Sequence, residues 1–303
     1  MDNFMKNQFI KVERSLTDLF GEEYIRTACS ACAFLADKDP EALLALAAEQ
    51  TDFYPEAMQD RLTEMLAKVG KQVIDAPVKN TSTGAGTAKF NEALNVNAAP
   101  VSASGYYRVG EDGRLYLTTK SEHYHTPMGH SFPGYGLLDK ARELNIPNAT
   151  HNNTRGYITR RLEEELIRTA NGLERGDKKG LESVMAITDD LKVLNRVINL
   201  ETGSLAVEAA LKMILARFYR IQPEVDKPKY HGRIPVILCM ANDEGGPSAN
   251  YHGTTTLTQM LRGMWPEVCA GMEAAKQWKV VHIRPNNKDD LNNAFAEYNK
   301  GDY

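Results

Sequence analysis

Thr202-Gly203-Ser204-Leu205-Ala206-Val207-Glu208-Ala209-Ala210-Leu211-Lys212 is the stretch whose reading decides the fold. An apolar, strand-like run, Val197-Ile198-Asn199-Leu200, leads into it. A glycine and a serine then stand where a helix rich in Ala, Leu and Met begins. A helix start presents unpaired backbone N–H groups and a partial positive charge, which suits a phosphate. Glycine lets the backbone approach a ligand closely, and a serine hydroxyl adds a donor. The same residues also read as a plain strand-turn-helix joint with Ser204 as N-cap.

Outward from this stretch the pattern alternates. A helix is predicted from Tyr157 to Asn171, with Gly172 as its stop, and a strand near Val193 to Leu200. The helix from about Ser204 to Tyr219 follows. Ile234-Pro235-Val236-Ile237-Leu238-Cys239-Met240 is near-continuously apolar and reads as a strand buried on both faces. A helix from Thr254 to Met264, a strand over Val280 to Ile283 and a helix from Asp289 to Tyr298 complete the series. Strands alternating with helices imply an α/β fold with a mainly parallel sheet and flanking helices.

Upstream, three regions read differently. Residues 1 to about 75 are helical: Phe9, Val12, Leu16 and Leu19 form one stripe, and Met58, Leu62, Met65, Leu66 and Val69 another, closed by Gly70. Asp39 followed by Pro40 marks a helix start. From about Pro77 to Ser104 the chain is small, polar and glycine-rich, as in Asn80-Thr81-Ser82-Thr83-Gly84-Ala85-Gly86-Thr87, and reads as a linker. Two short strands, Tyr106 to Val109 and Leu115 to Leu117, flank the hairpin signal Asp112-Gly113. Pro127-Met128-Gly129-His130-Ser131-Phe132-Pro133 and a helix from Leu137 to Leu144 follow. The expected domains are a helical N-terminal extension with linker (1–104), a small strand-turn-strand segment (105–150) and an α/β domain (151–303).

The 303 residues include 42% hydrophobic and 25% charged residues, with a net charge of −4. That balance, without a long basic run, argues against nucleic acid as a partner. No run is apolar for long enough to span a bilayer, and the first residues lack the apolar core of a signal peptide, so a cytoplasmic protein is expected. Cys29 and Cys32 form a lone C-x-x-C among four cysteines; zinc would need two further ligands nearby, and none is paired for it. A redox pair stays open, but Ile25, Cys29, Cys32 and Ala36 share one apolar helix face, where cysteine packs as a small hydrophobe. His123 and His125 could clamp a metal only from a strand, and the bland reading is a surface pair. No metal site is expected. His282 reads as structural, as does Glu208. Tyr-His-Gly occurs twice, at Tyr230-His231-Gly232 and Tyr251-His252-Gly253. The second follows the buried strand, where ligands bind in α/β sheets.

Three of these motifs together resemble class III aminotransferases, which use pyridoxal 5′-phosphate. Gly203, Ser204, Ala206, Val207, Glu208 and Ala209 to Lys212 match the family's phosphate-binding turn, and Leu205 departs where the family carries an acidic residue. Gly129, His130 and Pro133 match its Gly-His-x-x-Pro, and Tyr251-His252-Gly253 its aromatic-His-Gly. The resemblance covers about residues 105 to 303. It implies the large domain of a fold-type-I transferase, a homodimer with sites at the subunit interface, and amino-group transfer between an amine or amino acid and a keto acid. It makes Gly203, Ser204 and Leu205 phosphate contacts, Tyr251 the residue stacked on the pyridoxal ring, and His252 its neighbour. Aminomutation is a variant on the same scaffold.

The family's catalytic lysine and its pyridinium-binding aspartate, in an Asp-Glu-Val-like strand end, come well downstream of the aromatic-His-Gly. No Asp-Glu-Val occurs here, and Lys276, Lys279, Lys288 and Lys300 fall where the family has no catalytic lysine. Both groups are therefore expected beyond residue 303, and no catalytic residue is assigned within the chain. The complete protein is expected to be the enzyme, and the 303-residue chain alone to be inactive. The competing expectation is a non-catalytic binding or assembly protein on the same fold.

Overall fold

The computed structural model describes residues 11–75, 78, 86–93, 96–118, 128–147, 155–190, 192–249 and 255–303. The chain divides into two compact units, Met1–Leu162 and Glu163–Tyr303.

In the first unit, β1 (Glu13–Arg14) precedes three helices, α1 (Leu16–Phe20), α2 (Glu22–Ala36) and α3 (Pro40–Ala48). β2 (Thr51–Asp52) returns antiparallel to β1. The stripe through Val12, Leu16 and Leu19 is not one helix, because Ser15 starts α1 in a capping box. Its hydroxyl accepts from the Asp18 N–H at 3.0 Å, and the Asp18 carboxylate accepts from the Ser15 N–H at 2.9 Å. Asp39 caps α3 with Pro40 at its first position, as the sequence predicts. α4 (Glu56–Leu66) ends four residues before Gly70; Leu62 and Met65 are buried, while Leu66 and Val69 are exposed.

α5 (Ala88–Ala93) then precedes an antiparallel sheet of β3 (Pro100–Ser104), β4 (Tyr107–Gly110) and β5 (Leu115–Leu117). The predicted hairpin is β4–β5; β3 is an addition within the stretch read as linker. α6 (Gly136–Glu143) follows, and the division between the units falls within α7 (Tyr157–Ala170). Leu137 and Leu144 join Leu16, Ile25, Cys29, Cys32, Leu43 and Ala47 in one core. The helical N-terminal residues thus share a core with the segment around residue 140.

In the second unit, α8 (Lys178–Ala186) and α9 (Gly203–Leu215) precede β6 (Val236–Met240), α10 (Thr256–Leu261), α11 (Pro266–Ala274), β7 (Lys279–Ile283) and α12 (Lys288–Tyr298). β6 and β7 pair in parallel, Ile237 beside Val280 and Cys239 beside His282. Such a pair needs a crossover, which α10 and α11 supply. Ile237, Cys239 and Val280 turn to a core with Leu211, Leu261 and Trp278.

Two expectations fail here. Residues 193–200 form no strand. A side chain takes one carbonyl of the stretch, since the Asn171 amide donates to Leu194 at 2.9 Å, while the Asn195 amide turns back onto the Val184 carbonyl at 3.0 Å and that of Ile187, ahead of the stretch. β6 is also not buried on both faces, since Leu238 is 41% and Met240 59% exposed. The architecture is mixed α/β; among the described residues parallel pairing is confined to β6–β7.

Candidate functional site

α9 begins at Gly203, but the cap is Thr202, not Ser204. The Thr202 hydroxyl accepts the Leu205 N–H at 3.2 Å, and the Thr202 carbonyl takes the Ala206 N–H at 3.0 Å. Threonine is a favoured N-cap type, though ranked below serine, and the Thr-Gly order was the available signal. Among the described residues the N–H groups of Gly203 and Ser204 have no partner, which leaves two backbone donors and the Ser204 hydroxyl at the positive end of a 13-residue helix. Leu205 contributes less than expected, because its N–H is already bonded and its side chain is 45% exposed.

The chemistry of this donor set fits a phosphate. Its surroundings are open. A Cβ added at Gly203 meets nothing within 4 Å, and the glycine lacks a positive φ.

Tyr251 and His252 lie outside the described residues, as do Gly253, His123 and His125. The residues flanking the second Tyr-His-Gly are placed. After β6 the Asn242 side chain accepts the N–H groups of Glu244 and Gly246, at 3.1 and 2.6 Å, and folds the loop back. The Ser248 hydroxyl donates to the Met240 carbonyl at 2.8 Å and accepts from Arg262 at 3.2 Å, while the Ser248 N–H bonds the Arg262 carbonyl. On the far side the Thr255 hydroxyl donates to the Glu208 carboxylate at 2.8 Å. Glu208 is thus a structural carboxylate, and it ties α9 to the start of α10. The Asn242 turn is local, whereas the roles of Ser248 and Arg262 carry no signal in the sequence, because they depend on contacts between the end of α10 and the loop.

The remaining motif lies in the first unit. Gly129 has φ +91°, and its added Cβ would stand 3.0–3.1 Å from the Gly105 backbone. His130 and Gly105 exchange backbone hydrogen bonds at 2.7 and 2.8 Å, and Pro133 opens a short 3-10 turn behind the buried Phe132. This joint therefore has a packing reason for its glycine.

Cys29 and Cys32 are buried in the core. Burial pushes the Cys29 thiol pKa up, and Cys32 Sγ donates to the Glu143 carbonyl at 3.6 Å. An apolar, packed pair of this kind does not resemble an activated redox pair. Among the described residues no three His, Cys, Asp or Glu side chains are placed to hold a metal, and no helix is long and apolar enough to cross a membrane. Comparison of the chain with family models, with curated proteins and with solved structures finds no match.

Proposed function

We propose that this chain carries the phosphate-binding part of a pyridoxal-phosphate-dependent aminotransferase of the class III, fold-type-I kind. The complete enzyme would exchange an amino group between an amine or amino acid and a keto acid, as a cytoplasmic homodimer. One observation carries the reading: unpaired Gly203 and Ser204 N–H groups open α9, and Glu208 ties that helix to Thr255, just after Tyr251-His252-Gly253. In this reading Gly203 and Ser204 hold the phosphate, Tyr251 covers one ring face and excludes water there, and His252 stands beside it. When bound, the cofactor supplies an electron sink for the substrate's α-carbon. No residue among 1–303 is assigned as the lysine or the ring-nitrogen acid, so no proton transfer is derived for this chain, which is expected not to transaminate alone.

Calorimetric titration tests the phosphate site. Pyridoxal 5′-phosphate is expected to bind at least about tenfold tighter than pyridoxal, about 1.4 kcal/mol. Gly203→Val should abolish that difference by blocking close approach. Because nothing lies within 4 Å of the added Cβ, the variant should fold normally. Equal affinity for the two compounds would overturn the reading.

A second reading, a non-catalytic assembly protein, is favoured by the apolar surface of the second unit: Leu205, Val207 and Met213 on α9, and Leu238 and Met240 on β6, are all exposed. A chain that dimerises through more than about 1,000 Å² yet binds no cofactor would select it.

A further inference from the structure

We propose that a groove at the amino end of β6 binds a small planar aromatic carboxylate. This site is separate from the phosphate site. Its walls begin beyond the carboxyl end of α9, roughly 20 Å along the helix from Gly203 at 1.5 Å per residue.

The groove is lined by Phe218, Tyr230, Arg233 and Leu238, and by Phe295 and Tyr298 of α12. Its volume of about 370 Å³ suits a one- or two-ring ligand. Phe218 and Tyr230 lie 5.3 Å apart at 37°, and Phe295 is 56% exposed, so aromatic surface is available to a flat guest. The first Tyr-His-Gly supplies Tyr230, held in place by its own N–H on the Arg217 carbonyl at 2.9 Å and by the Arg233 N–H on its carbonyl at 3.0 Å.

Three cations stand at or beside the groove, against one carboxylate, Glu297, at the Tyr298 hydroxyl. Arg217 Cζ lies 5.4 Å and Lys229 Nζ 5.3 Å from the Tyr230 ring centroid, and Arg233 lines the groove itself. Among the described residues none of these three cations pairs with a carboxylate side chain, and no carboxylate side chain lines the groove. A hydrogen bond from Arg217, then the Lys229 charge, holds the Tyr230 hydroxyl pKa below its usual range. Aromatic faces beside cations that have no carboxylate partner complement a ring that bears an anion, and the planar guanidinium of Arg233 matches a carboxylate in two-point contact.

The test compares 1-naphthoate with 1-naphthalenemethanol, the same ring without charge, by NMR titration of the intact chain. Naphthoate should bind saturably and at least tenfold tighter than the alcohol. Arg233→Gln should remove that tenfold preference and leave alcohol binding unchanged; Phe295→Ala should weaken both. Equal binding of the two probes, an undiminished preference in Arg233→Gln, or loss of both probes in that variant would overturn the proposal. Gly203→Val should keep naphthoate binding, so failure here and failure of the phosphate site are separate results.

Discussion

The two units of this molecule bury their apolar residues to different degrees. In the first, Leu16, Ile25, Cys29, Cys32 and Leu144 are almost fully enclosed, and eight buried residues form one cluster drawn from α1, α2, α3 and the region of α6. In the second, the cluster has four buried members, and α9 buries Leu211 while Leu205, Val207, Met213 and Ile214 stay exposed. Both units leave apolar surface to cover, Phe34 and Leu35 in the first and the α9 residues in the second, but the second has the smaller buried cluster beneath it. Two glycines make the same contrast locally. Gly129 is fixed by packing against Gly105, whereas Gly203 faces open space. A glycine with a packing reason needs no ligand to explain it; one without such a reason is where a ligand is worth seeking.

The comparison is most easily broken in the cores. Ile25→Ala should cost about 2–5 kcal/mol, because 1% exposure leaves a cavity that its neighbours fill only partly. Met240→Ser should change stability by no more than about 0.5 kcal/mol, since its side chain packs on little. Denaturant unfolding measures both, and similar losses would erase the contrast.

The glycines give a smaller effect. Gly129→Ala must hold a positive φ and push on the Gly105 backbone, at about 1–3 kcal/mol. Gly203→Ala meets no atom and should be neutral or slightly stabilising, because alanine favours a helix. Thermal midpoints that fall equally would show Gly203 to be structural as well.

The smallest effect is electrostatic. Hydrogen bonds from Arg284 hold the Asp290 carboxyl down at about 2, from an ordinary value of 3.8. A folded-state pKa below the unfolded one stabilises above the unfolded value, and that contribution fades as pH falls from about 4 towards 2. Arg284 is exposed and Asp290 partly so, and solvent screens the pair, so the effect on stability is slight. In Arg284→Gln the Asp290 titration, followed by carboxyl NMR, should move back up towards the ordinary range; an unmoved titration would assign the shift to another cause.

Much of this architecture is legible in the sequence where the signals are local. The Asp39-Pro40 start, the Asp112-Gly113 hairpin, the α9 start at Gly203 and the apolar β6 and β7 runs all appear in place. What fails depends on distant partners. Val197-Ile198-Asn199-Leu200 has strand composition, but no ladder forms, and Asn171 and Asn195 bond the backbone only before that stretch, at Leu194 and Val184. The shared core of α2 and α6 joins residues more than a hundred apart, beyond the reach of any periodicity. At the candidate site the helix start is readable from Thr-Gly-Ser, while the Glu208–Thr255 bond requires knowing that α9 and α10 are neighbours.

The central claim is that Gly203 and Ser204 offer their backbone N–H groups to a phosphate. The most direct measurement is a ¹⁵N–¹H NMR titration of the intact chain with pyridoxal 5′-phosphate, with inorganic phosphate as the competitor. The account predicts that the Gly203 and Ser204 amides move furthest and saturate together, that Leu205 moves less because Thr202 already holds its N–H, and that added phosphate reverses the shifts. Gly203 and Ser204 amides that stay in place while the ligand perturbs residues elsewhere would contradict it.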